Sequence, residues 1–201
     1  MNAGPVAERV HEALRHMILN RVVRPGARLD PAALSDVLAA SATPVREALF
    51  VLHGEGLVDL RPGGGFLVPM VDAPALADLY AWSDELLGLI LRSADLPALA
   101  ASGMATDPSA DGTERTAWLV ARLAGASPNE EHRRAARDVN ARLHAARLVE
   151  PTCLAGIEEE LARLVASAAV ADAGQLRAGW RLYHRRRQRA APAIVRALLR
   201  D

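Results

Sequence analysis

A mostly α-helical chain in two parts is what this sequence predicts, and three observations predict it. Apolar residues recur every three to four positions along most of its length. The composition leans on Ala, Leu, Val and Arg, with only 3% aromatic residues, which favours helices packed through aliphatic stripes. The one glycine-tipped, strand-like stretch ends at Val68, and after Pro69 the text is helical only. With 201 residues and 51% hydrophobic content the chain can bury one good core or two small ones, and two domains are expected, 1–72 and 73–201.

The elements follow in order. Val6, Val10, Leu14, Met17 and Ile18 recur at helical spacing until Arg24-Pro25-Gly26 breaks the pattern. Asp30 is placed to cap a second helix with Pro31 at its first position, and Leu34, Val37 and Leu38 form its apolar face. Ser41 or Thr43 caps a third helix with Pro44 in its first turn, where a missing N–H costs nothing, and Val45, Ala48, Leu49 and Leu52 as its buried stripe. His53-Gly54-Glu55-Gly56 stops it. Leu57 to Leu60 and Phe66 to Val68 then bracket Arg61-Pro62-Gly63-Gly64-Gly65, a strand, a glycine-rich tip and a returning strand.

Helix, helix, turn, helix, small β-hairpin is the order of an N-terminal winged helix-turn-helix, whose third helix enters the DNA major groove while the hairpin reaches the backbone or minor groove. The candidate DNA-binding residues are therefore Ser41, Thr43, Pro44 and Arg46 at the start of the third helix and Arg61, Gly63, Gly64 and Gly65 at the wing tip. Arg46 is the expected base reader, since a bidentate arginine on guanine discriminates by about 1 to 3 kcal/mol.

Residues 34–57, LSDVLAASATPVREALFVLHGEGL, resemble the signature of the GntR family of bacterial transcription regulators, through ATPVREAL and the EGLV that follows. Arg24 to Leu29 resembles that family's PG-x-x-L link, so the likeness spans residues 6–70. The helical second half resembles the FadR branch, which implies a homodimer that binds operator DNA and lets go when a small carboxylate effector binds. Three positions depart from the pattern. Ala42 stands where an Arg is usual, Gly64 where a basic or polar residue is common, and Ala39 where the turn usually has glycine. A left-handed Ala39 costs about 1 to 2 kcal/mol.

The second half is expected to be an all-α helical bundle of about six helices, the longest at 74–93, 114–124, 128–150, 152–171 and 173–199, with a short helix and loop or a mobile connection between Asp95 and Thr113. The FadR likeness implies a divalent metal held by an Asp-x3-His pair and two later histidines. Here Asn140 and His144 take the first pair, one turn apart on one helix face, and His184 is the only later histidine, with Ala191 where another would stand and Ser83 and Leu87 near the usual Arg and Glu. Asn140, His144 and His184 are the effector-binding candidates, but a neutral amide is a poor ligand for a dication, so the metal motif is incomplete and the cofactor unknown. Trp82, Trp118, Trp180 and Tyr183 are expected in the core.

Charge is zero overall and uneven along the chain. All 24 basic residues are Arg: 7 against 8 acids in 1–72, 9 against 15 in 73–172, and 8 against 1 in 173–201. Arg185-Arg186-Arg187-Gln188-Arg189 is expected on a solvated face, paired with acids such as Glu158-Glu159-Glu160. No nucleophile, base and orienting group fall at useful spacing, so no enzyme is expected, and single Cys153 reads as an inert thiol. No apolar run suits a signal peptide or membrane span, which points to the cytoplasm. The near-neutral first domain keeps a second class open, a winged-helix protein-interaction module with neither effector nor specific DNA binding.

Overall fold

Residues 4–104 and 110–200 are described by the computed structural model, in which the chain forms two units, Met1–Val71 and Asp72–Asp201. In the first unit, α1 (Pro5–Leu19) buries Val10, Leu14 and Ile18 at four-residue spacing and half-buries Met17. Val6, expected on this stripe, is exposed. A short strand β1 (Arg28–Leu29) leads into α2 (Pro31–Leu38), whose first turn is capped by Asp30 accepting from the Ala32 N–H at 3.0 Å. Two turns suffice to bury Leu34 and Leu38, while Val37, 70% exposed, falls off that narrow face and corrects its expected place.

Ala39 then takes the left-handed conformation, φ 48° and ψ 51°, that the turn between α2 and α3 (Ala42–Gly54) requires. The strain is offset by Arg9 on α1, whose guanidinium donates to the Leu38 and Ala39 carbonyls at 3.0 and 3.4 Å and closes the end of α2. The stripe Val45, Ala48, Leu49 and Leu52 of α3 is fully buried, as expected. Strands β2 (Asp59–Leu60) and β3 (Phe66–Leu67) make the hairpin. It is part of a three-stranded antiparallel sheet in the order β1-β3-β2, with Arg28 and Asp59 both opposite Leu67. The third strand is the Arg28–Leu29 link, whose two residues are too short to carry a period-2 pattern.

The second unit is helical: α4 (Ala73–Ser93), α5 (Leu96–Ala101), α6 (Gly112–Gly125), α7 (Glu130–Arg142), α8 (His144–Val149), a 3-10 turn at Glu150–Thr152, α9 (Ile157–Ala169) and α10 (Ala173–Arg200). Asp72, Asp95, Asp111 and Asn129 each accept a backbone N–H in the first turn of the helix that follows, so four of the entries are set by local sequence. Seven α-helices among the described residues replace the six expected, because one long candidate divides and another starts late. The 128–150 helix divides at Leu143 and ends before Pro151, and α9 waits for Gly156, which is left-handed at φ 66°. Pro192 sits inside α10 without ending it. α10 packs along α4 and α9 and α6 along α7, around Leu76, Ile90, Leu119, Leu161, Leu176 and Ile194. Among the described residues no helix is long and apolar enough to cross a membrane.

Candidate nucleic-acid interface

The helix-turn-helix corner leaves its polar residues unspent. Ser41 is the N-cap of α3 in position, but its side chain makes no capping bond, which corrects the expected cap; Ser41 and Thr43 are both exposed and Pro44 is half-buried. The N-terminus of α3 is thus without a side-chain cap, and the helix dipole there favours an anion. Arg46, one turn further, is exposed and has no carboxylate within ion-pair distance among the described residues.

The wing is held against this helix. His53 near the end of α3 donates from Nδ1 to the Val58 carbonyl at 2.7 Å, fixing the path into β2, and Phe50 meets Phe66 edge-on at 5.1 Å between ring centres. At the tip the Gly64 N–H bonds the Arg61 carbonyl at 3.0 Å, and Arg61 bonds back to Gly65 at 3.1 Å. Gly63, Gly64 and Gly65 have φ of 86°, 98° and 97°, conformations that side chains rarely adopt, so the glycine run is set by backbone geometry. Between wing and α3 lies an open groove of about 540 Å³ bordered by Arg28, Arg46 and Arg61, with Phe50 and Gly64 on its walls and Asp30 the one acid. The Asp30 carboxylate is occupied in capping α2. Arg28 was not singled out from sequence; its outward direction follows from the β1–β3 register, in which Leu29 points into the core and Arg28 away from it.

Behind this surface, Glu55 at the end of α3 accepts from His11 Nε2 at 3.1 Å and Arg15 Nε at 3.3 Å, tying α1 to the recognition helix. Half-exposed ion pairs of this kind contribute modestly to stability and chiefly fix orientation.

The effector candidates lie in the helical unit, where the polar atoms are largely engaged. Asn140 donates to the Ala117 carbonyl at 3.0 Å and accepts from Arg147 Nη1 at 2.5 Å. His184 is fully buried: Nδ1 donates to the Trp180 carbonyl at 2.8 Å and faces Asp84 at 3.4 Å, and Nε2 accepts from the Ser83 hydroxyl at 3.0 Å. Burial lowers the His184 pKa against the raising effect of Asp84, so the ring is neutral at pH 7. His144 is half-buried at the start of α8. With both His184 nitrogens and the Asn140 amide bonded, these residues do not fit the metal site that the family likeness implies, and among the described residues no group of three His, Cys, Asp or Glu is placed to hold an ion.

What sequence reasoning missed is the ionic centre of the bundle. Arg187, expected on a solvated face, is 1% exposed and donates from Nε to Glu150 at 2.9 Å and from Nη1 to Glu160 at 2.7 Å. Tyr183 stacks under its guanidinium at 3.3 Å, and Tyr80 donates to the other Glu150 oxygen at 2.6 Å. Burial alone would lower the Arg187 pKa; Tyr183, Glu150 and Glu160 outweigh it and raise it, so the cation is permanent. The expected pairing with the 158–160 acids holds for Glu160, but inside the bundle. Trp180 and Tyr183 are core as expected, Trp118 is half-buried, and Trp82 is corrected to the surface at 43% exposure.

Residues 6–68 match the family profile described as bacterial regulatory proteins, gntR family. Over 69 residues the chain is 41% identical to the HTH-type transcriptional regulator in unstable DNA locus of Streptomyces ambofaciens, a match that covers 34% of this chain and 29% of the relative. The chain thus spans under a third of that relative's length. Among solved structures, it is similar to a Rhodococcus sp. RHA1 protein described as a transcriptional regulator GntR, with a TM-score of 0.69, 18% identity, and 93% of this chain and 97% of that one covered. It is also similar to E. coli McbR/YncC, with a TM-score of 0.66, 18% identity, and 94% and 98% covered. At that identity the likeness establishes the fold, a winged helix-turn-helix followed by a helical domain.

Proposed function

From the premise that residues 6–68 are a winged helix-turn-helix domain of the GntR family, we propose that the chain is a transcriptional regulator of the FadR-like branch. It binds double-stranded operator DNA through domain 1–72, and domain 73–201 dimerises and binds a small-molecule effector that controls operator binding. The observation that carries this reading is the groove where Arg28, Arg46 and Arg61 converge, with Asp30 the one acid, beside the N-terminus of α3. Three guanidinium groups against the single Asp30 carboxylate, around a helix end, are suited to phosphates and a guanine edge. Arg46, with Ser41, Thr43 and Pro44, enters the major groove. Arg61 and the backbone N–H groups of Gly63, Gly64 and Gly65 take the phosphates or minor groove beside it.

A homodimer suits the exposed apolar side chains of the bundle. Trp82 and Leu89, seven residues apart on one face of α4, and Leu182 on α10 are 43%, 38% and 60% exposed, and a second copy would cover them. The effector acts through its difference in affinity between two arrangements of the dimer, one of which spaces the recognition helices for adjacent half-sites. No catalytic role is assigned, and the cytoplasm is where such a protein works.

The test is selection of duplexes from a random DNA pool by the full chain at moderate salt. A regulator enriches a two-fold related site, and Arg46→Ala, with its dimer intact, abolishes the enrichment. Recovery of random sequence by both proteins would instead favour the protein-interaction module.

A further inference from the structure

The first unit holds only two aromatic residues, and the fold treats them differently. Phe66 on β3 is 5% exposed, whereas Phe50 on α3 keeps half of its side chain in solvent, at 51%. The edge-on contact between the rings, 5.1 Å between centres, holds the exposed one in place. Leu60, 44% exposed on β2, stands directly opposite Phe66 in the hairpin register. Phe50, Leu60 and Phe66 together supply an apolar wall to the groove of about 540 Å³ that Arg28, Arg46 and Arg61 border.

An apolar wall inside a rim of arginines limits what the groove accepts. The guanidinium groups suit a polyanion, while the phenyl ring of Phe50 has no donor or acceptor and gains only by meeting apolar surface. Double-stranded DNA offers both at once, because its phosphates flank a major groove in which the C5-methyl of thymine is the apolar group on the base edges. Position favours the same partner. Phe50 follows Arg46 by four residues, on one face of α3 and about 6 Å further along the helix axis, a rise that spans about two base pairs.

We propose that Phe50 is a specificity-determining residue of the operator interface, reading the C5-methyl group of a thymine within about two base pairs of the base that Arg46 contacts. The inference rests on the DNA-binding reading above and adds to it a base preference carried by no hydrogen bond. The exposed part of the ring packs on the methyl group, Phe66 fixes its orientation, and Leu60 beside it helps to exclude water from the contact.

The probe is the duplex enriched from the random pool, remade with deoxyuridine at each thymine in turn, which removes a methyl group and leaves every hydrogen-bonding group unchanged. Wild type should lose about 4-fold in affinity at one thymine per half-site, the transfer value of a single methyl. Phe50→Ala should bind the thymine and deoxyuridine duplexes alike at that position. Because Phe50→Ala also removes a contact to the wing, 5-bromodeoxyuridine at the same position supplies a second readout on wild type: irradiation should crosslink it to Phe50, located by mass spectrometry of the digested adduct. No loss at any thymine, an equal loss in Phe50→Ala, or a crosslink to another residue would each overturn the contact. Enrichment that depends on Arg46 but shows no methyl effect would refute the role of Phe50 alone and leave the regulatory reading standing. Absence of any enriched site would refute both.

Discussion

The two units use the same residue type in opposite ways. Arg28, Arg46 and Arg61 of the winged domain stand exposed around a groove whose one acid, Asp30, is held in a helix cap, whereas Arg187 of the bundle is 1% exposed between Glu150 and Glu160. Net charge distinguishes them poorly, since 1–72 carries 7 Arg and 8 acids. What matters is whether the acids are near. In the winged domain Glu55 is drawn to His11 and Arg15, and Asp30 to a helix cap, which leaves the groove arginines for an outside polyanion. In the bundle the carboxylates are spent on the arginine itself.

The contrast is broken most severely at Arg187. Arg187→Met should lower unfolding stability by about 3 to 5 kcal/mol, because Glu150 and Glu160 are left buried without a cation; urea unfolding measures it. A loss below about 1 kcal/mol would mean the cluster is solvated. Arg46→Ala should leave that transition in place and remove about 1 to 3 kcal/mol of discrimination between the selected site and a scrambled duplex, read by fluorescence anisotropy. Ala39→Gly sharpens the comparison from the other side. Relief of the left-handed alanine should raise stability by about 1 kcal/mol without altering which DNA is chosen.

Acidification tests the buried histidine. Its folded pKa lies below the unfolded value of about 6.5, so the unfolded chain takes up the proton first and stability falls as pH drops through that value. Asp84, whose carboxyl is held low by its hydrogen bond to His184, loses stabilisation in the same direction at lower pH. Unfolding followed between pH 7 and 5 should show the decline, and His184→Gln should flatten it. The smallest effect is expected at Arg28: Arg28→Ala should weaken all duplexes alike and reduce the slope of log affinity against log salt by about 1.

The winged domain was the more legible part because its signals are local. Asp30 capping α2, the 45–52 stripe and the glycine tip each act within a few residues, and each forms as read. Ala39 was legible too, as a departure whose left-handed conformation the structure retains. The misses are long-range. Strand β1 exists through pairing with residues almost forty positions away, and Val37 is exposed because only two turns of α2 reach the core. The burial of Arg187 depends on Glu150 and Tyr80, 37 and 107 positions earlier, which no window along the chain connects. A run of four arginines in five residues reads as surface; the helix turns one of the four inward.

Salt-dependent anisotropy of the full chain on its selected duplex tests the central claim most directly, with wild type and Arg46→Ala side by side. Groove arginines that read DNA predict tight, site-dependent retention by wild type at moderate salt and equal, weak binding of matched and scrambled duplexes by the variant. Indistinguishable curves for the two proteins on both duplexes would contradict it.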